Sequence, residues 1–147
     1  LRAGVIHDPM RNETFWAEEG QGAWLDNKRM RVASRRKLSD AVVTTGIPQL
    51  GDNGGELCLD VLARVRTAVA PVRRFDGFWE RGLSLWDFAA GLELLQEAGG
   101  MVIGLDKKDA TRGSFVAANT SLAPKITELV EGKLKKPAAP PSKLRPV

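Results

Sequence analysis

The sequence predicts a layered α/β fold, and three stretches carry that reading. Residues 2–45 hold short runs of strand-forming residues broken by turn residues, residues 75–105 read as strand, helix, glycine pair and strand, and residues 123–134 read as one closing helix. There is no internal repeat and no regular strand–helix–strand unit. That pattern points to stacked layers rather than to a doubly wound parallel sheet.

Strands are expected at Arg2–His7, Thr14–Glu18 and Ala23–Leu25, then at Arg29–Val32 after a turn at Asp26-Asn27. Ala41–Thr45 is a further strand, followed by a glycine-rich loop over Gly46–Gly55 and a helix over Glu56–Val69. Cys58 falls in that helix, where packing is the expected role, because free cysteine is among the most buried residue types. The aromatic run Phe75–Glu80 reads as a strand that reaches a helix at Leu85 through a tight turn. Met101–Leu105 and Ser114–Ala118 are strands, and Ala123–Leu134 is the last helix.

The helix from Leu85 carries the site argument. Ser84 is a good N-cap, and Asp87 lies three residues on, a shorter version of the usual Glu or Gln that reaches back to the cap. Phe88, Leu92 and Leu95 form a helical stripe, and Gly99-Gly100 stops the element. On the residues alone Asp87 is a cap, favoured in the first turn by the helix dipole by about 0.3–1 kcal/mol. A metal role needs further carboxylates converging from elsewhere, since a hard divalent cation wants several oxygen ligands.

Trp86-Asp87-Phe-Ala-Ala-Gly followed by Glu97-Ala-Gly-Gly100 resembles the late signature of the inositol monophosphatase family. The opening block is similar to the middle of that family: Gly4-Val-Ile-His-Asp-Pro9, Glu13-Thr-Phe-Trp-Ala17 and Gly20-Gln-Gly-Ala23. So are Arg31-Val-Ala-Ser34, the stretch from Leu38 to Pro48, and Gly113-Ser-Phe-Val-Ala-Ala-Asn119. The resemblance covers residues 2 to about 132 in order and implies the C-terminal portion of a layered α-β-α-β-α sugar-phosphatase fold. It implies a Mg²⁺-dependent phosphomonoesterase acting on inositol monophosphate or a similar polyol phosphate, and commonly a homodimer. By the same resemblance Asp87 matches a metal ligand that also lies near substrate, and Glu80 matches an acid that contacts substrate hydroxyls.

Two departures qualify what the resemblance implies. The family's first metal-binding Glu and its D-P-x-D-G-T block lie upstream of the matched region. Asp8-Pro9 is not that block, because Met10-Arg-Asn-Glu13 follows it. Family members also carry a G-[ST]-x-A-x-x-[LM] substrate loop and a helix where Arg74 here runs straight into Phe75, so a helix-length piece is absent. One metal ligand of the expected set remains, and this chain alone is expected to be inactive. The alternative is a non-catalytic remnant or interaction domain that self-associates or binds a partner.

Composition narrows the remaining classes. No apolar run reaches membrane-spanning length, and no leader pattern opens the chain. One cysteine excludes an internal disulfide and any cysteine-based metal cluster, which fits a reducing compartment and a cytoplasmic location. The net charge of +4 hides an uneven balance. Residues 133–147 carry Lys133, Lys135, Lys136, Lys143 and Arg145 with no acid and four prolines, which leaves residues 1–132 at −1. The tail is expected to be solvated, with weak polyanion binding as its one further use. His7 reads as a strand-end residue, Trp79 and Trp86 as packing anchors, and Asp106 and Asp109 beside Lys107-Lys108 as a charged turn.

Overall fold

The structure, a computed structural model, describes residues 1–46, 75–105 and 112–133. The expected loop beyond Gly46, the helix Glu56–Val69 with Cys58, the charged turn at Asp106–Asp109 and the tail from residue 134 lie outside the described residues.

The first sheet is an antiparallel meander of β1 (Ala3–Asp8), β2 (Glu13–Glu18), β3 (Gly22–Leu25) and β4 (Lys28–Met30), in that spatial order. Alternation along the strands gives it two different faces. The row Gly4, Ala17, Ala23, Met30 is mostly small, with Ala17 and Ala23 buried against a helix. The next row, Val5, Trp16, Trp24, Arg29, faces away from that helix. There the two indoles stack at 5.6 Å and the Arg29 guanidinium sits 5.7 Å from the Trp24 ring centre. The Asp26-Asn27 turn forms as expected, with Asp26 at φ 52° in the left-handed region that Asp tolerates.

The second sheet holds β5 (Val43–Thr45), β6 (Gly77–Ser84), β7 (Gly100–Gly104) and β8 (Arg112–Asn119), in the order β5-β6-β8-β7. Only the β5–β6 pair is parallel. Helix α1 (Leu85–Glu97) touches β1, β2 and β3 on one side and β6, β7 and β8 on the other, so it lies between the sheets. Helix α2 (Ala123–Val130) covers the far face of the second sheet, where Trp79, Val116, Leu122 and Ile126 form the main core. The described layers are therefore sheet, helix, sheet, helix, the mixed α/β class the sequence predicts.

Three local differences have physical causes. β6 continues to Ser84, so no tight turn separates strand from helix. Instead the strand bulges between Glu80 and Leu83, with Gly82 at φ 75° absorbing the kink. The last helix stops at Val130 rather than Leu134 because Gly132 turns left-handed at φ 74°. Lys133 N–H then donates to the Glu128 carbonyl at 2.8 Å and Gly132 N–H to that of Leu129 at 3.1 Å, closing the end. The fourth strand ends at Met30, and the chain beyond it crosses toward the second sheet. Asn119 fixes that crossing: its amide donates to the carbonyls of Ala33 and Arg35 at 2.7 and 2.8 Å.

Glu97, the last residue of α1, ties the middle layer to the first sheet. Its carboxylate accepts the N–H of Gly20 at 3.0 Å and of Gly22 at 2.7 Å across the β2–β3 turn. Those two backbone donors, ahead of the Arg29 charge, hold its carboxyl below the ordinary value of 4.5. An acid lowered on folding stabilises the protein above its unfolded value and loses that contribution as pH falls through the folded value. Glu97→Gln should therefore melt below the parent at neutral pH. The gap should close as pH falls below about 4.5 in thermal melts run from pH 7 to pH 3.

Candidate functional site

Asp87 sits where the strand turns into the helix. Ser84 keeps extended backbone at φ −80° and ψ 150°, and α1 begins at the next residue. Asp87 Oδ2 accepts the Ser84 N–H at 3.0 Å, one half of a capping box. The cap read from the spacing is thus present. The residue remains exposed, as does Trp86, whose side of the helix start is uncovered at 84% exposure. The expectation that Trp86 anchors packing fails for that reason, whereas Trp79, at 3% exposure, does anchor the core beneath α2.

Glu80 comes to the same place from β6, just before the bulge. Its carboxylate lies against Gly46, whose N–H bonds to it. A Cβ on Gly46 would overlap the carboxylate oxygens, so a larger residue there would push the Glu80 carboxylate aside. Desolvation raises the Glu80 pKa above 4.5, the Gly46 hydrogen bond opposes that, and the negative charge of Asp87 raises it further. Asp87→Asn should therefore move the Glu80 titration toward lower pH, a shift readable by NMR of the Glu80 side-chain carboxyl.

Both acids line one cavity of about 440 Å³ whose remaining wall is largely apolar. It runs along α1 from Asp87 in the first turn to Leu95 near the last, and is closed by Phe78 and Phe115 of the second sheet. Asp76 also lines it, a residue the sequence argument did not single out. Asp76 is buried and committed to structure. Arg35 Nη1 donates to it at 2.6 Å and the Val42 N–H at 3.0 Å, which joins the entry of β5 to β6. No local spacing could reveal that pair, because Arg35 and Asp76 lie 41 positions apart.

His7 takes no part. Its Nδ1 is 3.0 Å from Thr14 Oγ1 on an exposed strand end, as a strand-end role requires. Asp8 caps its own turn through the N–H groups of Met10 and Arg11. Among the described residues no three His, Cys, Asp or Glu side chains converge on a point that could hold a metal ion. No helix among them is long and apolar enough to cross a membrane.

Known proteins share this fold and much of this sequence. The profile of the inositol monophosphatase family matches residues 1–135. The inositol-1-monophosphatase of Caulobacter vibrioides is 41% identical over 145 residues, covering 86% of this chain and 57% of that protein. The Nus factor SuhB of Pseudomonas aeruginosa is 35% identical over 162 residues, covering 97% of this chain and 58% of its own length. The crystal structure of the extragenic suppressor protein suhB from Bartonella henselae superimposes with a TM-score of 0.81 at 35% identity, over 90% of this chain and 58% of that one. The chain thus spans somewhat more than half the length of these relatives.

Proposed function

The chain belongs to the inositol monophosphatase family, and on that premise we propose that it supplies one side of the active site of a Mg²⁺-dependent phosphomonoesterase. The substrate in this reading is inositol monophosphate or a similar polyol phosphate. The observation that carries the reading is the meeting of Glu80 and Asp87, from a strand end and a helix start, in one cavity where the charge of one raises the pKa of the other. Two hard oxygen donors lining one cavity suit a divalent cation.

The fit to Mg²⁺ is partial. Asp87 is exposed and has one oxygen engaged with Ser84, and its charge acts on Glu80. An octahedral cation needs more oxygens than these two supply. In this reading Asp87 is the metal ligand and also borders substrate, while Glu80 meets the hydroxyls of the polyol. Raised above its ordinary value, the Glu80 carboxyl is placed to hold a proton toward such a hydroxyl or to accept one from it. When bound, the cation supplies polarisation of the phosphoryl oxygens and a water of lowered pKa.

The test is phosphate release from inositol monophosphate with and without Mg²⁺. The 147 residues alone should release no more than a protein-free blank, since one edge of a cation site does not organise the reaction. The same sequence within a protein that carries the upstream acids and substrate loop of the family should release phosphate in a manner abolished by EDTA. Release indifferent to EDTA would sink the reading.

A second reading, an interaction domain that self-associates, is favoured by one observation. Val5, Ile6, Met10 and Trp86 are large apolar side chains left exposed, and such surface seeks cover. Sedimentation at increasing concentration separates the two, with a dimer indifferent to Mg²⁺ favouring the second.

A further inference from the structure

Glu80 and Leu83 both line the cavity, though they stand three apart on β6. A regular strand turns successive side chains to opposite faces, so positions three apart should diverge. Phe78 and Glu80 obey that rule, pairing with Ala117 and Phe115 of β8. The bulge then breaks it. Glu80 pairs with Phe115 and Leu83 with Gly113, three steps on β6 against two on β8. One inserted residue adds about 3.3 Å of strand and returns Leu83 to the face of Glu80. Ser84 and α1 follow directly from Leu83. Where α1 leaves the sheet, and so where Asp87 stands relative to Glu80, is set by that one residue.

A bulge leaves its extra residue unpaired in the ladder. Gly82, left-handed at φ 75°, stands at the kink, and its N–H donates to Ser114 Oγ at 3.2 Å. Ser114 is buried at 7% exposure and lies on β8 between Gly113 and Phe115, the two residues paired across the bulge. A backbone N–H withdrawn from water needs an acceptor, and here a side-chain hydroxyl supplies it.

The same stretch of β8 also seats the start of the helix. Gly113 makes room for the Phe88 ring, which a Cβ there would overlap, and the Phe88 and Phe115 rings pack at 4.9 Å. Phe88 directly follows Asp87 in the first turn of α1. Gly113 and Phe115 thus hold the helix that carries one acid, while Ser114 between them holds the strand that carries the other.

We propose that Ser114 is a positioning residue for the acid pair: through the Gly82 N–H its hydroxyl fixes the bulge that brings Glu80 and Asp87 to one cavity. Its action runs through the backbone of β6, not through contact with substrate or cation. The proposal deepens the reading of these acids as one side of a phosphomonoesterase site and rests on it for its functional meaning. Its test is read without phosphate release, so a failure of the catalytic reading and a failure of this one are told apart.

The test is NMR of the 147-residue chain at neutral pH with labelled glutamate carboxyls. In the parent, Asp87→Asn should move the Glu80 carboxyl resonance, because the Asp87 charge acts on Glu80. In Ser114→Ala the Gly82 amide should exchange with solvent roughly tenfold faster, a local opening. The response of Glu80 to Asp87→Asn should fall by about half, since charge interactions weaken with separation. The Val116 amide and the melting temperature should stay close to the parent's. Ser114→Thr keeps the hydroxyl and should restore both readouts. Should Ser114→Ala not fold, Ser114→Cys, of similar size but a weaker acceptor, carries the same comparison. An unchanged Gly82 amide would overturn the proposal, as would fast exchange at Gly82 with the Glu80 response undiminished. So would failure of Ser114→Thr to restore either readout. A Val116 amide that opens together with Gly82 would also overturn it, since the hydroxyl would then support the whole sheet rather than the bulge.

Discussion

Ile126→Ala is expected to lower the unfolding free energy by about 3–4 kcal/mol, within the usual range for truncating a fully buried branched side chain. Ile126 is completely buried and sits at the centre of the core formed by Trp79, Val116, Leu122 and Val130. Its Cδ1 lies over Gly77, close enough that a Cβ there would approach it to 2.5 Å. The strand therefore offers no side chain that could swing into the space left by truncation. The neighbours are a strand backbone and a helix held by the Gly132 closure, and neither collapses easily. For a domain whose total stability is typically about 5–15 kcal/mol, that loss moves the urea midpoint far while leaving the slope unchanged. Ile126→Val should cost about 1 kcal/mol. A loss below that for the alanine variant would mean that α2 is not the lid of this core.

Much of that core was legible beforehand. The strand around Val116 and the helix after it were legible because Gly113–Asn119 resembles the last strand before the family's closing helix, the run Phe115–Ala118 being continuously apolar with no period of its own. Even the terminations followed from chemistry: Gly99 and Asp26 adopt the left-handed backbone their side chains allow, at φ 84° and 52°. The bulge at Gly82 was not legible, because a single glycine in a strand pattern marks a turn and a bulge equally well. Nor was the Arg35–Asp76 pair, which depends on a register set by two separate elements. The acid pair was half legible. Spacing gave Asp87 its cap, and resemblance gave Glu80 its interest. Gly46, which hydrogen-bonds Glu80, had no signal beyond lying at the head of a glycine-rich stretch. The stripe Phe88, Leu92, Leu95 lines a cavity, because periodicity shows that a face is apolar but not what covers it.

The larger expected effect concerns Asp87, whose two roles one substitution can separate. Asparagine keeps an oxygen of the same reach, so in Asp87→Asn the Ser84 N–H retains its acceptor and the helix keeps its cap. What is lost is the charge, which at an exposed first turn is worth about 0.3–1 kcal/mol through the helix dipole. Melting of the 147-residue chain should therefore change little. Within a protein that also carries the family's upstream acids and substrate loop, the proposed reaction asks far more of the same atom, because a neutral amide is a poor ligand for a hard cation. Partners that merely orient metal ligands change affinity or activity by about 10–100-fold, so loss of a direct ligand should lower Mg²⁺-dependent phosphate release by on the order of 100-fold or more. Excess Mg²⁺ should recover part of the rate if the defect is in holding the cation. If instead activity and melting temperature fell together, Asp87 would be a helix cap whose loss unfolds the site. If neither moved, the carboxylate that opens α1 would have no part in catalysis. A large rate effect beside a small thermal one is the outcome that assigns Asp87 to the metal, and the companion fall in the Glu80 pKa would show that the two carboxylates share one field.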